Sequence, residues 1–195
     1  KKIKKKEYIY IYIYMNSSYK NNLSYKDIFS TLCFIKNPHF IVEFGILDGY
    51  SLKQIIEYTG DNCKIHAYDI FDEFHGNSAN KQDLINKFSK HKNVLIDYGD
   101  FYKKFNEIDD NSIDILHVDI ANNGDVVEFV FNNYIDKVKK DGIIILEGGS
   151  KERDCIEWMN KYNKPKMKPV LKKYSKDYDM LTIGNIPSIT VIKIK

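Results

Sequence analysis

Apolar runs of strand length alternate with helix-like stretches along most of the chain. The five runs are apolar on both faces and read FIVEFG, KIHAYDIF, NVLIDYGD, IDILHVDI and GIIILEGG. The stretches between them with helical spacing lie at 51–58, 81–88, 101–105 and 126–138. Strands that are apolar on both faces and joined by helical crossovers are typical of a parallel sheet covered by helices. The pattern therefore predicts an α/β domain with a doubly wound sheet.

Further elements are predicted before and after this alternation. A helix is expected over 21–35, closed by Pro38, and another over 152–162. The chain finishes with the runs YDMLTIG and SITVIKIK, which are joined by a turn that contains Pro187. Two strands joined so closely pair antiparallel, because a parallel return needs a long crossover. We thus expect a mostly parallel, seven-stranded sheet with a C-terminal antiparallel hairpin.

The first residues differ in composition from the rest. The stretch KKIKKKEYIYIYIYM is of low complexity, and its alternation of Ile and Tyr suits a strand with one aliphatic and one aromatic face. Repeating A-T codons would give the same alternation, so we expect residues 1–14 to be an extension that is not native, ahead of a start at Met15. Residues 15–195 are predicted to form a single domain, since this length suits one full core better than two.

Composition and charge exclude several classes of partner. The formal charge is +3, with acids and bases interspersed, and Arg153 is the only arginine. Nucleic-acid readers usually depend on arginine forks, so no nucleic-acid partner is expected. Cys33, Cys63 and Cys155 are far apart and fit buried positions in a reducing compartment. No apolar run reaches the roughly 18 residues of a membrane span, and no signal-peptide pattern is seen. A cytoplasmic protein is expected, with its oligomeric state left open.

Carboxylates follow the predicted strands at their carboxyl ends, which is where ligands bind in such sheets. The acids at these positions are Glu43, Asp69, Asp97, Asp100, Asp119 and Glu147. Acids brought to one edge repel each other unless a ligand, a cation or hydrogen-bond donors offset their charge. Their coincidence predicts a ligand site at this edge.

The stretch IVEFGILDGYS at residues 41–51 indicates the class of ligand. Gly45 and Gly49 would allow close approach of the backbone, and Asp69 lies 20 residues after Gly49, the distance at which nucleotide-binding units place an acid against a ribose. A dinucleotide motif reads Gly-x-Gly-x-x-Gly, whereas this stretch reads Glu-x-Gly-x-x-x-Gly-x-Ser. Glu43 is unfavourable beside a pyrophosphate and favourable beside an ammonium group.

The same stretch resembles the first motif of class I S-adenosylmethionine-dependent methyltransferases, especially the small-molecule branch. The resemblance covers nearly all of residues 36–195: KIHAYDIFDEF resembles the second strand with its ribose acid, YGDF the adenine-side loop, ILHVDIANNGD the fourth strand and VKKDGIIILEGG the fifth. It implies a Rossmann-like methyltransferase fold and S-adenosylmethionine as the cofactor. It also implies methyl transfer to a small hydroxylated acceptor, with a saccharide or another metabolite as candidates.

The resemblance further implies which residues bind the cofactor. The loop around its methionine part would comprise Glu43, Gly45, Gly49 and Ser51. Asp69 would hold the ribose hydroxyls, Ile70 or Phe71 would lie against the adenine, and Asp100 would bond near its amino group. Core packing is the competing interpretation for Phe71, Phe74 and Phe101, and we expect it for at least two of them.

Departures from the family pattern bear on metal binding. Asp119 would face the methyl-transfer site, but the histidine that commonly follows the fourth strand is replaced by Asn122 or Asn123. The second acidic pair has shrunk to Glu147 followed by glycine. No metal is therefore predicted, although Asp119, Glu147 and one of the asparagines could bind a divalent ion through oxygen atoms.

Two further questions stay open at the level of sequence. His75, in the FDEFHGN loop, is the candidate catalytic base, while His117 within the fourth strand is expected to be packed there. Two rival functions are a non-catalytic domain that keeps the cofactor fold, and an NAD-dependent oxidoreductase, which the missing middle glycine disfavours.

Overall fold

The computed structural model describes residues 24–74 and 77–195, which are built around a mixed β-sheet. Seven strands lie in the order β3-β2-β1-β4-β5-β7-β6. Their bounds are Phe40–Phe44 for β1, Lys64–Asp69 for β2, Val94–Tyr98 for β3, Ile113–Val118 for β4, Val138–Glu147 for β5, Asp179–Gly184 for β6 and Ser188–Lys193 for β7. β1 to β5 run parallel, and β7 is antiparallel to both β5 and β6. The predicted sheet with its C-terminal hairpin is therefore confirmed.

Helices cover both faces of the sheet. Those within the described ranges are α1 (Tyr25–Lys36), α2 (Tyr50–Glu57), α3 (Lys81–Phe88), α4 (Phe101–Lys104), α5 (Gly124–Asn133), α6 (Glu157–Lys161) and α7 (Met167–Tyr174). Helices α1, α2 and α3 contribute to one hydrophobic cluster, and α4, α5 and α7 contribute to the other. All six residues of β4 are buried, as expected of a central strand with both faces covered.

Helix α1 shows why the sequence places helix ends where it does. Ser24 forms a capping box with Asp27, whose carboxylate accepts a hydrogen bond from the Ser24 amide at 2.9 Å. At the other end Asn37 adopts the left-handed conformation, and Pro38 prevents continuation. The predicted end at residue 35 is thus confirmed to within one residue.

Two predicted helices are shorter in the structure. The helix expected over 126–138 ends at Asn133, and β5 begins at Val138 because this buried residue pairs with Ile113 of β4. The helix expected over 152–162 is divided into a 3₁₀-helix, Arg153–Cys155, and α6.

Helix α7 was not predicted from the sequence. Its buried residues are Met167 and Leu171, which join the cluster on the α5 side of the sheet. Pro169 lies in its first turn, where the missing amide hydrogen breaks no helical hydrogen bond. A proline at this position is therefore compatible with the helix.

The aromatic residues near the predicted cofactor positions divide as expected. Phe71 and Phe101 are buried in the core, whereas Phe74 is exposed. The segment 1–14 and His75 lie outside the described residues, so the predictions made for them stay predictions. Among the helices that are described, none combines the length and the apolar character needed to cross a membrane.

Candidate functional site

A cavity of about 270 Å³ opens at the carboxyl ends of β1, β4 and β5. The β1–α2 loop, α1 and the turn between β6 and β7 form its walls. The lining residues that bear on its chemistry are Tyr25, Phe29, Ser51, His117, Asp119 and Glu147. The structure thus brings two of the predicted strand-end acids, Asp119 and Glu147, to one concave site.

The two glycines of the β1–α2 loop are required by protein packing. Gly45 has φ +87°, and a Cβ atom there would lie 1.9 Å from the carbonyl oxygen of Asp119. Gly49 has φ +78°, and a Cβ atom there would lie 2.8 Å from the Phe88 ring. Larger residues would therefore strain the backbone at both positions. The loop between them also lines the cavity, so the glycines are needed for packing in the same segment that is predicted to contact the ligand.

Asp69, the predicted ribose acid, is buried at the end of β2 and bonded to protein donors. One carboxylate oxygen accepts from the amides of Ile46 at 2.8 Å and Leu47 at 3.4 Å. The other accepts from the amide of Phe71 at 2.8 Å and from the side chain of Asn77 at 2.7 Å. A carboxylate has about four acceptor positions, and all four are used here. Asp69 therefore fixes the β1–α2 loop to β2, whatever else it binds.

The predicted adenine-side residues lie apart from the cavity. Ile70 is half-buried and Phe71 is packed in the core, while Asp100 caps α4 by accepting from the Tyr102 amide at 2.9 Å. Asp100 also pairs with Lys103 at 2.9 Å. Neither these residues nor Asp69 line the cavity described above.

Glu43 lies beneath the cavity and acts through two residues that line it. Its side chain is fully buried, and its Oε1 accepts from the Ser51 hydroxyl at 2.5 Å and pairs with His117 Nδ1 at 2.9 Å. Its Oε2 has no hydrogen-bond partner in the described part of the chain. The ring of Phe29 contacts His117 edge-on, with centroids 4.9 Å apart. Glu43 thus orients Ser51 and His117 and does not itself reach the cavity surface.

The protonation of His117 follows from this pairing. Burial lowers the pKa of His117, but the hydrogen bond and negative charge of Glu43, with the charges of Asp119 and Glu147, outweigh it and raise the pKa overall. The expectation that His117 is packed within its strand is correct, and its ring also borders the cavity.

Asp119 follows β4 directly and is accessible to solvent within the cavity. Desolvation by the surrounding protein raises its pKa to about 6; His117 acts against this shift, and the charges of Glu147 and Glu43 add to it. Asp119 is therefore an acid whose charge changes close to neutral pH.

Glu147, at the end of β5, is neutralised by the only arginine of the chain. Arg153 donates from Nε to Oε1 at 2.6 Å and from Nη2 to Oε2 at 2.7 Å, a bidentate pair that is largely buried. Asn122 is also engaged, since its side-chain amide donates to the carbonyls of Val118 and Glu147 at 2.8 and 2.9 Å. Asn123 caps α5 by accepting from the Asp125 amide.

These contacts do not suit a divalent ion held by Asp119 and Glu147. An arginine pair already occupies both oxygens of Glu147, and the asparagine side chains are used in helix capping and strand contacts. Within the described ranges, no group of three or more His, Cys, Asp or Glu residues is arranged to hold a metal.

Three contributors to this site were not identified from the sequence: Arg153, Tyr25 and Pro187. The one feature of the sequence that could have indicated Arg153 is that it is the single arginine in a lysine-rich chain. Tyr25 of α1 bonds through its hydroxyl to the carbonyl of Pro187 in the β6–β7 turn, and both line the cavity. Their 162-residue separation explains why no local pattern indicated the contact.

Comparison with known proteins adds a family and a fold. Residues 42–147, more than half of the chain, match the protein family described as "Methyltransferase domain". No curated protein sequence matches the chain.

Several solved structures share the fold. The O-methyltransferase TomG from Streptomyces achromogenes, which is involved in tomaymycin synthesis and was solved in complex with SAM, superposes with a TM-score of 0.66 at 13% identity, covering 89% of this chain and 82% of TomG. The SAH-bound methyltransferase PaMTH1 from Podospora anserina gives 0.63 at 16% identity, over 96% of this chain and 86% of its own. An O-methyltransferase from Bacillus cereus in complex with SAH gives 0.62 at 16% identity, over 90% and 84%.

Proposed function

The chain belongs to the methyltransferase domain family, and from this premise we propose that it transfers a methyl group from S-adenosylmethionine to the hydroxyl of a small acceptor. The observation that carries the proposal is the cavity itself: the loop from Gly45 to Ser51 borders it, and the exposed carboxylate of Asp119 lies inside it. A cavity with this charge suits a cationic ligand. O-methylation is favoured because Asp119 and His117 offer proton-accepting groups at the same place.

The residues present fit the methionine part of this cofactor. When bound, S-adenosylmethionine supplies an electrophilic methyl group on a positively charged sulfur. The ionised carboxylate of Asp119 would stabilise positive charge in the cavity, and Ser51, oriented by Glu43, would offer its hydroxyl oxygen to the cofactor's ammonium group. Tyr25 and Phe29 of α1, with the β6–β7 turn, would position the acceptor and exclude water.

Binding of the cofactor's ribose by Asp69 would require a change in the hydrogen bonds that Asp69 now accepts. Because its acceptor positions are filled, a ribose hydroxyl would have to replace one of the present donors. The Leu47 amide, at 3.4 Å, forms the longest of these bonds and is the one most easily exchanged. We therefore retain Asp69 as the ribose-binding residue and Ile70, Phe71 and Asp100 as the adenine side, as parts of this proposal.

Calorimetry with two cofactor classes tests the proposal. S-adenosylmethionine and its demethylated product should bind in the micromolar range, and NAD and NADP should not bind. A charged hydrogen bond is worth about 1.5 to 3 kcal/mol, so Asp69→Ala should weaken binding roughly tenfold to a hundredfold. The matched control is Asp97→Asn, which removes an acid at the end of β3 that pairs with Lys81, away from the cavity.

The outcomes separate the candidate functions. NAD binding without S-adenosylmethionine binding would overturn the proposal in favour of an oxidoreductase. Cofactor binding without methyl transfer to a broad panel of hydroxylated acceptors would favour a non-catalytic domain. An unchanged affinity in Asp69→Ala, with a folded protein, would remove Asp69 from the ribose site and leave the methyl-transfer proposal intact.

A further inference from the structure

The buried pair of Glu43 and His117 has a geometry that a packing role alone does not require. The two residues lie opposite each other on β1 and β4, and Nδ1 of His117 is 2.9 Å from Oε1 of Glu43. A carboxylate only accepts hydrogen bonds, so Nδ1 carries the proton in this contact. Nε2 of the neutral ring is then left with a free lone pair.

Nε2 is the ring nitrogen of His117 that Glu43 does not engage, and His117 lines the cavity. This nitrogen has no hydrogen-bond partner within the described ranges. His117 is 2% exposed and lines the cavity, and because Nδ1 is engaged by Glu43, Nε2 is the ring nitrogen available to a ligand there.

We infer that His117 Nε2 takes the proton of the acceptor hydroxyl during methyl transfer, and that Glu43 is the positioning residue that holds the ring and balances its charge. This inference rests on the proposed function. The acceptor O–H bond breaks as the oxygen forms its bond to the methyl carbon, the electrons of the C–S bond stay on sulfur, and the proton goes to Nε2. One positive charge disappears at sulfur and one appears at His117, beside the negative Glu43.

Among the described residues, Asp119 is the competing proton acceptor, and the geometry favours His117. The side chain of Asp119 forms no hydrogen bond in the described part of the protein, whereas the imidazole is fixed by Glu43 on one side and by Phe29 on the other. If Asp119 took the proton, the cavity would lose the carboxylate that stabilises a cationic ligand. The charged groups facing His117 are Glu43 of β1, Asp119 after β4 and Glu147 of β5, the last neutralised by Arg153.

The tautomer of His117 can be measured without any acceptor. In ¹⁵N NMR of the full chain, the His117 signals among the five histidines are assigned by their loss in His117→Gln. The neutral ring should carry its proton on Nδ1, and its pKa should fall in Glu43→Gln but not in Asp97→Asn. If the neutral imidazole instead carried its proton on Nε2, the inference would be overturned, because Nε2 could not then accept the proton of the acceptor hydroxyl. If Glu43→Gln does not fold, the wild-type tautomer still decides.

The second test measures the kinetics of methyl transfer to a panel of catechol, phenol and sugar hydroxyls. His117→Gln should lower kcat by roughly 10²- to 10⁴-fold, the usual size of a general-base contribution, and leave the affinity for the demethylated cofactor within about twofold. In Glu43→Gln the acid limb of the kcat profile should move to lower pH, a change that a structural role would not cause. Transfer by His117→Gln within threefold of wild type would overturn the inference. If the wild type transfers no methyl group to any acceptor of the panel, the result counts against the proposed function. The NMR measurement of the His117 tautomer still tests the arrangement of Glu43 and His117 independently.

Discussion

At the scale of single residues, most acids of the carboxyl edge are satisfied by the protein itself. Asp69 accepts from four donors, Glu147 is paired with Arg153, and Asp100 caps α4. Asp119 differs, because its carboxylate is accessible in the cavity and has no protein donor among the described residues. Asp119 and the exposed loop residue Asp48 therefore supply the negative charge that a cationic ligand would meet in the cavity.

The raised pKa of Asp119 predicts a pH-dependent effect of its replacement. A folded-state pKa of about 6, above the ordinary 3.8, means that the protonated form favours folding and that this contribution is lost as pH rises through about 6. Asp119→Asn should therefore gain stability relative to wild type between pH 4.5 and pH 7.5. Urea unfolding at both values measures the difference.

A control of opposite sign is available on β3. The hydrogen bond from Lys81 lowers the pKa of Asp97, so its ionised form favours folding and that contribution is lost as pH falls. Asp97→Asn should lose a little stability at pH 7.5, because the pair is half exposed. If Asp119→Asn showed the same sign as this control, the desolvation of Asp119 would be contradicted.

At the scale of elements, the site depends on how closely β1 approaches β4. The Asp119 amide donates to the Phe44 carbonyl at 2.8 Å, and the Gly45 amide donates to the Tyr68 carbonyl at 2.9 Å. These bonds continue the parallel pairing past the strand ends. The Asp119 carbonyl is thereby brought against Gly45, where only hydrogen fits.

Gly45→Ala should therefore be strongly destabilising. A non-glycine residue at positive φ costs roughly 1 to 2 kcal/mol, and the overlap with the Asp119 carbonyl adds to it. Because about 1 kcal/mol shifts Tm by 2 to 4 °C in a chain of this size, we expect Tm to fall by at least about 4 °C in thermal unfolding. Gly60→Ala is the control, since a Cβ atom at Gly60 meets nothing within 4 Å. Equal Tm values for the two variants would contradict the close approach.

The order of elements could be predicted from the sequence because burial on both faces leaves a continuous apolar signal. β4 is the clearest example, with all six residues buried. Helix α7 gave no such signal, because Met167 and Leu171 are flanked by lysines and a proline. The start of β5 at Val138 was missed for another reason: its pairing with β4 is a tertiary contact that no local pattern records.

At the scale of the whole molecule, the fold closes the cavity with segments from opposite ends of the described chain. Tyr25 of α1 meets Pro187 of the β6–β7 turn, and both face the end of β4. The positions of Glu43, Asp119 and Glu147 at strand ends followed from the sequence. The partners of these acids could not be predicted from the sequence. Whether an acid is free to bind a ligand or is paired with an arginine depends on how the segment after β5, which contains Arg153, packs against the site.

Arg153 acts as an internal counter-ion for the site through its pair with Glu147. Because Arg153 occupies both oxygens of Glu147, chelators should leave cofactor binding and methyl transfer intact. Arg153→Met leaves Glu147 unpaired near Asp119 and should cost about 3 kcal/mol of unfolding free energy. Mn²⁺ should then raise the Tm of Arg153→Met but not that of wild type, since the freed carboxylates offer oxygen ligands.

The double variant Arg153→Met with Glu147→Gln separates charge from packing. It removes both members of the pair, so it should recover most of the stability lost in Arg153→Met and show no response to Mn²⁺. Loss of methyl transfer on chelation of the wild type, with rescue by Mg²⁺, would instead make Asp119 and Glu147 metal ligands. That result would require Arg153 to leave Glu147 when the ion binds, and it would assign the arginine a role as a gate to the site.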